Sequence, residues 1–209
     1  KESGLDDETM VIFTSDNGPF AAKGSDVKKG HDASGPYRGF KTDVWDGGTR
    51  VPFLVRLPGR IEAGRVSDHL LCLTDVMATL AGLMEQPLAK WAGEDSFDQS
   101  SVWFDEEAAA ARNTMITQSY TGILSIRRGK WKLILDTKGS GGFFNYSPEV
   151  LRHETMAPWR TDMSQTGQLY DLELDPYETT DLFEKHPDVV NELKLLMRSQ
   201  ITQGRSRPL

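Results

Sequence analysis

A short apolar run, Met10-Val11-Ile12-Phe13, gives way almost at once to Ser15-Asp16-Asn17-Gly18. Its β-branched centre and small length predict a strand, and the lack of polar alternation predicts burial on both faces, as in a parallel sheet. That points to an α/β architecture, and open α/β sheets bind ligands just outside the carboxyl ends of such strands. The turn at Ser15–Gly18 is therefore the first place to look for chemistry. From Pro19 to Arg50 the chain is rich in glycine and shows no sustained periodicity. A stretch of that length is too long for a plain connector. A second strand is expected over Val51–Leu57, closed by Pro58-Gly59. Thr74 is placed to cap a helix whose Val76, Leu80, Leu83 and Met84 share one face.

The pattern changes after a polar, proline- and alanine-containing stretch over residues 85–114, which carries at most a helical turn. Met115–Tyr120, Ile123–Arg127 and Lys130–Leu135 read as short strands, the last two joined in a tight hairpin at Arg128-Gly129. Leu169–Leu174 alternates, and Pro187 opens an amphipathic helix to about Gln203 with Val189, Leu193, Leu196 and Met197 on one face. The expected fold is α/β, a mostly parallel sheet with flanking helices over residues 1–114, followed over 115–209 by a small α+β part with an antiparallel sheet and a terminal helix. Nucleic acid and membrane partners are not expected. The net charge is −7 with Lys and Arg scattered, and no run approaches the roughly 20 apolar residues of a membrane helix. The lone Cys72 excludes an internal disulfide and a thiolate metal cluster, and in LLCLTDV it reads as a buried structural thiol. The polar, acidic opening KESGLDDETM so close to a buried strand suggests a piece of a longer protein.

Asp16 and Asn17 offer adjacent hard oxygen donors, suited to calcium or magnesium. An Asx turn before Gly18-Pro19 is the simpler alternative, and two donors fall short of the 6 to 8 oxygens calcium takes. In the run from Arg38 to Pro52, Lys41 sits on a glycine-flanked segment leading into a strand. It can present an ammonium to an oxyanion, or be a solvated loop lysine. His31 in the glycine-rich loop is a candidate proton donor or substrate contact, or an exposed loop residue. His69, His153 and His186 lack metal-ligand spacing and read as structural or exposed.

Taken in order, VIFTSDNG, GPYRGFK, WDGGTRVPFLVRLPGRI, LTDVMATLAGL, SIRRGKWKLI and LYDLELDPYETTDL resemble the C-terminal half of the arylsulfatase family, from about residue 5 to the end. The resemblance implies the alkaline-phosphatase-like fold, with 1–114 completing a catalytic domain and 115–209 forming the C-terminal subdomain. It implies that Asp16 and Asn17 coordinate an active-site calcium, that Lys41 contacts the substrate sulfate, and that His31 lies beside the substrate. It also implies export to the periplasm or outside the cell. The chain departs from the family in what it lacks. The C-x-P-S-R or S-x-P-S-R motif that yields the formylglycine nucleophile does not occur, nor do the first calcium ligands. The chain is thus expected to depend on an N-terminal half of the same protein and to be inactive toward sulfate esters alone. A related metal-dependent phosphodiesterase would need His and Asp clusters holding two transition metals, which the sequence lacks. A non-catalytic binding module with this fold is the remaining alternative. The long loops at Ala21–Pro36 and Gly139–Gly167 are the candidates for substrate choice.

Overall fold

The computed structural model describes residues 3–20, 33–86, 88–105, 107–136 and 166–208. In chain order its elements are β1 (Val11–Thr14), the single-turn helix α1 (Asp46–Thr49), β2 (Phe53–Arg56), α2 (Asp75–Leu83), α3 (Ser100–Phe104), β3 (Thr114–Gln118), β4 (Leu124–Arg128), β5 (Trp131–Ile134), β6 (Gln168–Asp171) and α4 (Pro187–Gln203). Contacts divide the chain into two compact units, one of residues 1–16, 52–115 and 200–209, the other of 17–51 and 116–199. A boundary falls at 115, next to the expected division, but residues 17–51 cluster with the later strands.

In the first unit β1 pairs with β2 antiparallel, Val11 opposite Arg56 and Phe13 opposite Leu54. The α/β class stands, with helices and sheets combined, but two expectations for β1 are corrected: its pairing with β2 is not parallel, and it is not buried on both faces. Val11 and Phe13 are 49% and 64% exposed. Side chains alternate across a ribbon, and a run that is apolar throughout carries no period from which one-sided burial can be read.

Helix α2 is held by a polar hub rather than by a large apolar face. Its buried residues are Asp75, Ala78, Thr79 and Ala81, whereas Met84 is exposed. Thr74 does not cap the helix; its hydroxyl donates to Asp95 O. Asp75, the first residue of the helix, ties it to its surroundings instead. Its carboxylate accepts from Cys72 N and Phe97 N (both 3.0 Å) and takes the Arg112 guanidinium bidentately, Nε at 2.7 Å and Nη2 at 2.6 Å. Both side chains are almost fully buried. Arg112 also donates to Thr114 O, and its guanidinium lies over the Phe97 ring at 4.5 Å. Cys72 is half-buried rather than a core thiol.

The second unit is a four-stranded sheet in the order β3-β4-β5-β6. The β4–β5 hairpin turns at Gly129-Lys130, with Arg128 opposite Trp131 and Gly129 at φ +55, a left-handed position that costs glycine nothing. β5 and β6 are also antiparallel. Alternation along β5 and β6 divides two faces. Leu133 and Leu169, with Leu124 and Ile126 of β4, receive Val190, Leu193 and Met197 of α4. Ile134 and Tyr170 receive Val44 and Trp45 from the segment before α1. The terminal helix therefore covers one face, and the glycine-rich segment carrying Lys41 covers the other. Full burial of a residue such as Val44 contributes about 1.5–3 kcal/mol, so these contacts hold that segment in place.

Candidate functional site

At the end of β1, Asp16 is exposed and Asn17 half-buried. The Asn17 amide nitrogen donates to Gly18 O at 2.9 Å. Gly18 N donates to Gly48 O at 2.8 Å, and a Cβ at Gly18 would overlap Gly47 O, so only glycine allows this approach. One residue further on, Pro19 O accepts from Lys41 N at 2.8 Å. The second unit thus joins the Asn17–Pro19 turn to the Lys41 segment and α1 through backbone hydrogen bonds.

Lys41 lies in a constrained turn. Asp43 N donates to Phe40 O, and Phe40 N to the Asp43 carboxylate. The neighbour Thr42 has φ +88, an outlier for a β-branched residue, and its buried hydroxyl has no hydrogen-bond partner. Such strain costs on the order of 1–3 kcal/mol and persists only where the surroundings over-determine it. Here Tyr120 N holds Thr42 O at 3.0 Å while Pro19 holds Lys41 N.

Beneath this turn the structure shows a polar network that the sequence reading did not single out. Lys132 Nζ, on the Ile134 face of β5, lies 2.7 Å from Asp46 Oδ1 and 2.7 Å from Glu178 Oε1, with the lysine and Glu178 fully enclosed. Asp46 N, at the start of α1, donates to Glu178 Oε2 at 2.6 Å. Burial works to raise the Asp46 pKa, but the Lys132 ammonium outweighs it and holds the carboxyl below its usual range. Burial pushes Glu178 up, with Lys132 opposing and Asp46 adding to the rise. Arg38 lies over the Trp45 ring at 4.0 Å and donates to Glu178 O and to the Tyr170 hydroxyl. Burial drives Tyr170 up to about 12. Two signals could have found this network. The alternation of KWKLI puts Lys132 on the side of Ile134, and the acidic Glu178 lies in the quoted DPYETTDL segment.

The sequence-derived residues fall as follows. Asn17 and Lys41 are brought together by the Pro19 bridge, and Asp16 stands at the end of β1. His31 lies outside the described residues, as do 21–32 and 137–165 of the two long loops and His153. His186 packs against Trp131, ring centroids 5.1 Å apart, a structural role. Asp16 and Asn17 are oxygen donors, the right kind for a hard cation such as calcium but too few to enclose one. Among the described residues no group of three or more His, Cys, Asp or Glu side chains could hold a metal, and no helix is long and apolar enough to cross a membrane.

Residues 1–86 match the family model described as Sulfatase. Over 204 residues the chain is 32% identical to an N-acetylgalactosamine-6-O-sulfatase of Bacteroides thetaiotaomicron, a match covering 95% of this chain and 37% of the relative. Human arylsulfatase A is 32% identical over 201 residues, covering 92% of this chain and 38% of that protein. A solved structure described under the metabolism of multiple glycosaminoglycans by Bacteroides thetaiotaomicron superposes with a TM-score of 0.74 at 31% identity, over 93% of this chain and 39% of that one. The chain therefore spans less than two-fifths of the length of these relatives.

Proposed function

This chain belongs to the sulfatase family, and on that footing we propose that it carries the calcium-ligand turn and the sulfate-binding lysine of an enzyme that hydrolyses sulfate esters. The observation that supports this best is the backbone bridge from Pro19 to Lys41, which brings the backbone of Lys41 to the turn that carries Asn17. Asp16 and Asn17 would hold a calcium ion. Bound there, calcium would act as Lewis acid and template for the sulfate. The Lys41 ammonium would neutralise a sulfate oxygen or the leaving oxygen as charge builds on it, and such preorganised cations are usually the largest catalytic contribution. Gly47 and Gly48 would act through their backbone, keeping the turn close to α1. His31 would lie on the substrate side. The formylglycine nucleophile and the remaining calcium ligands would come from an N-terminal half of the same protein, without which these residues would not turn over substrate. The protein would be exported, as expected of such enzymes.

The calcium assignment has a direct test. Calorimetric titration of the full-length protein with calcium is expected to show binding that is lost in Asp16→Ala. Binding unchanged in that variant would refute the role given to Asp16.

A further inference from the structure

We infer that Glu178 and Lys132, far from Asn17 and Lys41 in sequence, are positioning residues for both. The inference rests on the reading of Asn17 and Lys41 given above. Both act through α1. A helix of four residues cannot hold itself together, because nucleation costs more than one turn of bonds returns. Its place is set from outside: Glu178 Oε2 accepts its first N–H, from Asp46, and Lys132 Nζ binds the Asp46 carboxylate.

From α1 two backbone bonds lead outward. Gly47 N donates to Arg38 O at 2.7 Å, at the root of the Lys41 turn, and Gly48 O accepts from Gly18 N, next to Asn17. A Cβ at Gly47 would overlap Gly39 O, and one at Gly48 would overlap Asp43 O, so the backbones meet with no flexible side chain between them. A shift of α1 is passed directly to both turns. Closely packed interiors transmit displacement in this way, and a misplacement of about 1 Å at reacting groups can cost about 100-fold in rate.

Stability alone is a weak account of the buried charges. A buried ion pair often contributes no more than apolar residues of the same volume would, whereas it does fix one geometry. Glu178 itself has φ +55, so its backbone is strained to bring its carboxylate and its carbonyl onto α1 and Arg38 together.

The test uses the full-length enzyme with an aryl sulfate and measures kcat, KM and the calcium concentration for half-maximal activity, with thermal unfolding in parallel. Glu178→Ala removes the acceptor for Asp46 N and is expected to lower kcat about 10- to 100-fold, to change KM less than about 3-fold, and to raise the calcium requirement. Glu178→Gln keeps an acceptor in the same place and is expected to recover most of the lost kcat. A folded Glu178→Ala protein with wild-type kcat and calcium requirement would overturn the inference. So would a Gln variant as impaired as the Ala one; and if Glu178→Ala does not fold, loss of activity in the folded Gln variant decides against it in the same way. Lys41→Ala run alongside separates the two readings: wild-type kcat there would count against the proposed function itself, whatever Glu178 shows.

Discussion

Asp75→Ala is expected to destabilise the first unit by about 3–5 kcal/mol, the loss typical of removing one partner from a buried ion pair. Asp75 is fully buried, and both its oxygens are engaged by Arg112, which is 3% exposed. Truncation strands the guanidinium without a counter-charge. It also leaves Cys72 N and Phe97 N without their acceptor, at the point where α2 begins and the 95–99 segment turns back onto it. Each unmet buried donor adds about 1–3 kcal/mol in isolation, though neighbouring losses do not simply add. Arg112→Lys is expected to cost more than an exchange of like charges suggests, because a point ammonium cannot reproduce the bidentate fork or the stacking on Phe97. Denaturant-induced unfolding followed by circular dichroism measures both. A loss below about 1 kcal/mol for Asp75→Ala would show that the hub is not what holds α2.

The second large effect is catalytic. Lys41→Ala in the full-length enzyme is expected to lower kcat for an aryl sulfate about 100- to 1,000-fold, equivalent to about 2.7–4 kcal/mol, as for loss of one preorganised donor to a developing oxyanion. Unfolding should be nearly unchanged. The turn is held by the backbone groups of Lys41 and Phe40 and by Asp43, none of which the substitution alters, and the side chain is only half-buried. A large fall in kcat with an unaltered melting temperature is the signature of a chemical role. A large fall in both would mean that the side chain is structural, and no fall in kcat would remove Lys41 from the mechanism.

The regular elements of the second unit were legible in the sequence for simple reasons. The hairpin at Gly129 combines a turn glycine with flanking strand pattern, and α4 has a proline start and a long apolar stripe. Both are local signals. What escaped was non-local. Nothing within a few residues of Asp46 announces that Lys132 and Glu178 meet it, since those partners are 86 and 132 residues away. The same holds for Asp75, whose acidic side chain at the head of a helix suggests a cap or a solvated first turn, and whose arginine partner is 37 residues on. In α2 the large apolar residues suggested the buried face, whereas the small and polar ones face the hub. Of the candidate site, the residue types at Asp16, Asn17 and Lys41 and their order could be read directly. The contacts between glycines that join them could not, because backbone approach leaves only a glycine in the sequence as its trace.

Whether this chain carries the metal and sulfate-binding part of a sulfatase is decided by sulfate release from an aryl sulfate by the full-length protein, measured with calcium and after chelation. Turnover that chelation abolishes and added calcium restores is the expected result. Turnover that persists undiminished without calcium, or its absence under every condition in a protein that folds, would contradict it.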